Sequence, residues 1–152
     1  MKKREKIVVG RNEPVALPAL GITRLEAKVD TGAYGTSIHC DKIQVIDEGK
    51  SVRFRVLDPD HPEYKKSLFT FPVHREKWVK SSNGQKELRV TIKTDLYLAG
   101  RKIPTEIALT DRSAMRYPML LGRTLLTGRF VVDVEKENIT EPHPAETRKD
   151  PA

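Results

Sequence analysis

Asp30 is the residue of this 152-residue chain best placed to do chemistry. It ends the run Leu25-Glu26-Ala27-Lys28-Val29, whose period of two reads as a strand, and Thr31-Gly32-Ala33 follows it. A carboxylate on a glycine turn at a strand end can take a proton from water. Two such carboxyls about 3 Å apart can do more, because like charges that close cannot both ionise. The pair then shares one proton, offers a base for the water and an acid for a carbonyl oxygen, and titrates as a unit. The same Asp-x-Gly also serves as an ordinary turn, in which Asp bonds the backbone two residues on and Gly takes positive φ. Other segments have to separate these readings.

Two segments bear on the choice. Residues 78–88 read as a hairpin around Asn83-Gly84, with strand-like residues on both sides. Met119-Leu120-Leu121-Gly122-Arg123 reads as a short buried strand entering a helix over 123–127, which Gly128 stops. The rest of the pattern is mostly strand, expected at 6–11, 22–29, 42–47, 51–57, 67–73, 87–98, 102–109 and 130–134. Glu48-Gly49-Lys50 and Ala99-Gly100-Arg101 supply tight turns, and Asp58-Pro59-Asp60-His61-Pro62 a loop. One domain over 1–134 is expected. From Glu135 the composition shifts to charges with Pro142, Pro144 and Pro151, and Ile139 is the lone large aliphatic, so a disordered tail over 135–152 is expected.

Bulk properties narrow the class. Hydrophobic residues are 38% and charged residues 32%, the balance of a globular protein, and no apolar run is long enough to cross a membrane. Met1-Lys2-Lys3-Arg4 is basic, but only the short Ile7-Val8-Val9 follows, so no secretory leader is expected. Cys40 is the single cysteine, which excludes an internal disulfide and suits a reducing cytoplasm. The net charge of +7 attracts acidic partners. Its basic residues are spread along the chain without an RNA-binding signature, which disfavours nucleic acid.

Metal and nucleophile chemistry find little support. His-Glu-x-x-His, Cys-x-x-Cys and a phosphate-binding Gly-x-x-x-x-Gly-Lys are all missing from the sequence. His39 and Cys40 are neighbours on an expected strand and point to opposite faces, so they cannot chelate one ion or form a thiolate–imidazole pair. A site spread over His61, His74 and Cys40 has mismatched spacing. No cofactor or metal is expected, and Cys40 reads as a buried free thiol. Trp78 is expected to pack at the base of the hairpin or on the sheet.

Lys28-Val29-Asp30-Thr31-Gly32-Ala33, Ser81-Ser82-Asn83-Gly84, Asp111-Arg112-Ser113-Ala114-Met115 and Pro118-Met119-Leu120-Leu121-Gly122-Arg123 together resemble the retropepsin-like aspartic peptidases. They are similar in particular to a bacterial group described as ATP-dependent zinc proteases and associated with ATP-grasp glutamate ligases that modify a ribosomal protein. The resemblance spans residues 6–134. It implies a mostly β fold, a closed retropepsin-like barrel equal to half an acid protease, with one short C-terminal helix. It implies Asp30, Thr31 and Gly32 as the catalytic loop. Ala33, the hairpin residues Ser82, Asn83 and Gly84, and the arginines Arg89 and Arg123 would line the substrate cleft, with Arg112 and Arg116 nearby. No second Asp-Thr-Gly is present, so the active form implied is a homodimer with an Asp30 from each copy. Retroviral relatives carry an acid after Asp-Thr-Gly-Ala that pairs with the helix arginine. Here Tyr34 stands in that position, so Arg123 either finds another partner or faces the cleft.

The function expected on these grounds is a dimeric aspartic peptidase acting on a peptide or isopeptide, with acidic, glutamate-rich tails as a candidate substrate. The alternative is a non-catalytic module of the same fold that recruits acidic partners.

Overall fold

The computed structural model describes residues 5–64, 66–80, 84–111 and 116–143. Along the chain come β1 (Ile7–Val9), β2 (Asn12–Leu17), β3 (Ile22–Val29) and β4 (Thr36–Ile46). Then follow β5 (Ser51–Val56), β6 (Phe69–Pro72), β7 (Arg75–Lys80) and β8 (Lys86–Leu98). The chain continues through β9 (Arg101–Thr110), β10 (Met119–Leu121), α1 (Arg123–Leu126) and β11 (Phe130–Val132).

Six strands close on themselves in the order β10-β3-β2-β8-β9-β4, with β4 returning to β10. Closure leaves this barrel no free edge. The short β10 is the keystone. It runs parallel to β3, with Leu120 opposite Lys28 and Leu121 opposite Val29, and antiparallel to β4, with Met119 opposite Ile38 and Leu120 opposite Ser37. Strands leading into and out of the Asp30 turn are thereby held apart at a fixed spacing. Leu25, Ala27, Val29, Ile38, Ile92, Leu96, Ile107, Met119 and Leu121 are buried in one cluster with Leu125, Leu126 and Phe130 of the C-terminal segment. Each large aliphatic so buried contributes roughly 1.5–3 kcal/mol of transfer free energy.

The β8–β9 connection matches its expected turn. Ala99 and Gly100 both take positive φ, 53° and 80°, between the paired Leu98 and Arg101, the two-residue geometry that suits strand twist. The 78–88 hairpin forms as well, with Arg75 to Lys80 paired against Thr91 to Lys86. Its tip residues Ser82 and Asn83 lie outside the described residues.

Elsewhere the structure departs from the sequence pattern. β2 was not expected, since Pro14 sits inside it. It is tolerated because Pro14 pairs with β3 only, and pairing with β8 begins at Val15. β4 starts at Thr36 instead of 42. Its first half is covered on both faces, so Thr36, Ser37 and His39 are buried along with Ile38 and Cys40, and no polar alternation marks it. A bulge at Lys42, φ 55°, separates that half from the part expected. Trp78 is not packed beneath the hairpin; it is 67% exposed.

The charged segment after β11 runs, as far as residue 143, along the barrel as a strap. Glu13 of β2 organises it. This carboxylate is fully buried and accepts hydrogen bonds from Gly10 N (2.7 Å), Ile139 N (3.2 Å), Thr140 N (3.0 Å) and Thr140 Oγ1 (2.7 Å). Arg24–Glu141 and Arg11–Glu137 pairs and a bond from Gly100 N to Pro142 O tie the strap further. Polar bonds here replace the apolar burial that the composition lacks.

Replacing Glu13 with Gln should cost about 1–3 kcal/mol in urea unfolding, because its amide nitrogen cannot accept from the N–H groups it would face. Replacing Gly122 with Ala should cost a similar amount, about 1–3 kcal/mol. A Cβ at 122 would fall inside the van der Waals envelopes of the Gly35 and Ala33 carbonyls.

Candidate active site

The Asp30 loop is fixed by its neighbours more than by itself. Asp30 N donates to Leu121 O (2.9 Å), which joins the loop to the end of β10. Its Oδ1 accepts from Gly32 N (3.0 Å), and its carbonyl accepts from Ala33 N (3.1 Å). The side-chain bond anticipated for Asp-x-Gly therefore forms, but Gly32 does not take the positive φ expected of it, and the second carboxylate oxygen has no hydrogen-bond partner among the described residues.

Beyond the turn, the start of α1 takes hold of the loop. A helix leaves its first N–H groups without internal partners. Here Arg123 N donates to Ala33 O and Thr124 N to Tyr34 O, both at 2.9 Å, and the buried Gly122 N donates to Thr36 Oγ1 at 3.1 Å. Arg123 finds its partners in the same loop. Its Nη1 donates to Thr31 O (3.0 Å), and its guanidinium lies 5.8 Å from the centre of the Tyr34 ring. Tyr34 thus meets the helix arginine through its π face where an acid would use charge.

Two cavities flank the loop and share Leu120. One, about 560 Å³, is lined by Asp30 with Arg11, Lys28, Arg116, Tyr117 and Glu137. The other, about 380 Å³, lies under the hairpin and is lined by Ala33, Tyr34, Arg75, Lys77, Arg89 and Glu106 among others. Of the residues expected at the site, Asp30, Ala33, Arg89 and Arg116 line a cavity. Thr31 and Gly32 are exposed on the loop, Gly84 is exposed at φ 89° near the hairpin tip, and Arg123 is turned to the loop and lines neither cavity. Ser82, Asn83 and Arg112 lie outside the described residues.

Arg75, Lys77 and Glu106 were missed from the sequence. The available signal was register: Arg75 and Lys77 share a strand face and pair with Thr91 and Arg89 across the hairpin. Arg75 grips Glu106 in a fork, Nε to Oε2 at 2.9 Å and Nη2 to Oε1 at 2.8 Å. Burial raises the Glu106 carboxyl, but hydrogen bonds from Arg75 and Thr91 and the charges of Arg75 and His74 outweigh it and hold it below the usual carboxylate range. Since its folded value is depressed, the fork is complete above that range and is lost only as pH falls through the lowered value.

His39 serves another purpose. Its Nε2 lies 2.6 Å from Asp58 Oδ2 and its Nδ1 3.7 Å from Asp111 Oδ1, so it ties the 58–62 loop to the end of β9. Cys40 points into the core, where burial pushes its thiol far up and makes it unreactive. Among the described residues, no three His, Cys, Asp or Glu side chains come together as metal ligands would. No helix among them is long and apolar enough to cross a membrane.

Comparison with known proteins agrees with this architecture. The crystal structure of a Legionella pneumophila protein of unknown function superposes with a TM-score of 0.70 at 25% identity, covering 90% of this chain and all of that one. A protein of Parasynechococcus marenigrum is 36% identical over 132 residues, and one of Shewanella pealeana 36% over 130; both are named probable alpha-L-glutamate ligase. These matches take in 86% and 84% of this chain but 28% of each relative, so the chain spans little more than a quarter of the curated relatives it matches. The family model for the retropepsin-like aspartic endopeptidase RimB matches residues 8–143, strap included. With its closed barrel, its clamped Asp-Thr-Gly loop and that match, the chain belongs to the RimB-like family of retropepsin-like aspartic endopeptidases.

Proposed function

We propose that this protein is a homodimeric aspartic peptidase in which Asp30 and the Asp30 of a second copy share a proton and activate water against a peptide or isopeptide bond. The observation that carries the reading is the Asp30 loop itself. One carboxylate oxygen is committed to the turn, the other has no hydrogen-bond partner among the described residues, Asp30 lines a cavity, and the backbone around it is clamped by β10 and α1. Catalysis by paired carboxyls depends on such fixed placement, because a misplaced base loses its geometry with the water. Thr31 and Gly32, exposed at the loop apex, are the residues through which the two loops meet. Ala33 leaves room for a substrate backbone, and Arg89 contributes charge under the hairpin that carries Ser82, Asn83 and Gly84.

The substrate class that fits is an acidic peptide. Arg11, Lys28 and Arg116 surround one cavity and Arg75, Lys77 and Arg89 the other, and arginine binds carboxylates in a fork. Relatives named as glutamate ligases point the same way, toward glutamate-rich chains. A reducing cytoplasm suits the single unreactive thiol. The same basic cavities would serve the second reading, a module that recruits acidic partners without cutting them.

Asp30→Asn decides between the two. Cleavage of glutamate-tailed peptides should fall roughly 10³-fold or more while the sedimentation of the dimer is unchanged. If the parent protein binds such peptides as tightly as the variant and neither cuts them, the recruiting module is correct. Dimer catalysis also predicts that specific activity drops as the protein is diluted through the dimer dissociation constant, in step with the dimer fraction seen by analytical ultracentrifugation. Activity independent of concentration, carried by a monomer, would remove the shared dyad.

A further inference from the structure

Three cations and one carboxylate meet in the cavity under the hairpin: Arg75 and Lys77 on β7, Arg89 on β8 and Glu106 on β9. Glu106 holds Arg75 by both oxygens. Arg75 stands opposite Thr91, and Thr91 opposite Ala108, so this fork crosses β8 and ties the hairpin to the barrel wall. Its members are accessible: the Arg75 side chain is 53% exposed and that of Glu106 27%. Beside it, Arg89 Nε is buried with no hydrogen-bond partner among the described residues, and the nearest carboxylate oxygen, on Glu87, is 3.9 Å from Nη2.

We propose that Glu106 is a resident stand-in for a substrate carboxylate, which an acidic side chain of the entering peptide displaces from Arg75. This rests on the acidic-peptide reading above and adds to it a mechanism of selection. A glutamyl side chain presents the same two oxygens as Glu106, so the exchange replaces one fork with an equivalent one. Arg89 and Lys77 then give the incoming chain attraction that Glu106 does not use. An uncharged peptide has no oxygen pair to offer and leaves the fork closed. Arg75 becomes the specificity-determining residue and Glu106 its positioning residue. The exchange also transfers the hairpin's tie from the barrel to the substrate, so that the hairpin follows the peptide it covers.

The test uses the full chain with Asp30→Asn, so that nothing is cut. Hexaglutamate and an uncharged peptide of equal length are titrated calorimetrically, and amide exchange is followed along β7. Glu106→Gln should bind hexaglutamate roughly three- to fivefold more tightly, because an internal competitor has gone. Its β7 amides should exchange faster than the parent's when free and regain protection when hexaglutamate is added. Arg75→Met should bind more weakly. Weaker binding by Glu106→Gln, or binding indifferent to it, overturns the exchange while leaving the acidic-peptide reading intact. Unchanged β7 protection in free Glu106→Gln overturns it too. Hexaglutamate binding to none of the forms removes the acidic-peptide reading and the exchange together.

Discussion

The structure depends on a close passage of backbone at Gly122. A chain with any side chain there could not bring the carbonyls of Ala33 and Gly35 so near. The closeness lets α1 place its first N–H groups on Ala33 and Tyr34, which would otherwise need water or a capping side chain. A helix of one turn is too short to be stable alone, so it persists because its free donors are consumed by the loop and Leu125 and Leu126 are buried. In return the Asp30 loop is held from both sides, by α1 and by the end of β10. Loop and helix are one unit joined by backbone bonds, and the barrel closes around β10 to hold it.

The same economy appears in how charge is placed. With a net charge of +7, the protein carries more cations than its own acids can neutralise, yet two of the arginines lining the cavities are met by internal carboxylates, Arg11 by Glu137 and Arg75 by Glu106. Partly exposed pairs of this kind contribute little to stability. Their consequence is to fix where guanidinium groups stand and to keep like charges from spreading the cavity walls. The buried Glu13 is different in kind. It has four donors and, among the described residues, no cation, and it secures the strap through hydrogen bonds that water cannot contest.

Strand pattern carried much of the fold. Alternation marked β3, β5, β8 and β9 almost to the residue, and Ala99-Gly100 and Asn83-Gly84 marked two hairpins, because side-chain direction and positive φ are local properties. What escaped was set by surroundings. β2 contains a proline whose missing N–H is harmless only because β8 pairs from Val15 onward. The first half of β4 is polar and buried on both faces, so period two gave no sign of it. The segment after β11 has the composition of a free tail, and only a buried acceptor far away in sequence orders it as far as residue 143.

For the candidate site, the division is similar. The sequence by itself determined the carboxylate, its glycine turn, the Gly-Arg helix and their order along the chain, since each is a short motif with its own backbone demands. Tertiary structure alone decided that Arg123 spends its charge on Thr31 O and the Tyr34 ring, that Asp30 keeps one oxygen without a hydrogen-bond partner among the described residues, and that Arg75, Lys77, Arg89 and Glu106 share a cavity. Lys77 and Arg89 face each other across the hairpin, whose β7 lies outside the closed barrel, while Arg75 reaches Glu106 of β9 over the intervening β8. Hairpin register makes the Lys77–Arg89 pairing legible, but a side chain's reach across a whole strand is not a property of any local stretch of chain, so reading one segment at a time does not bring Arg75 to Glu106.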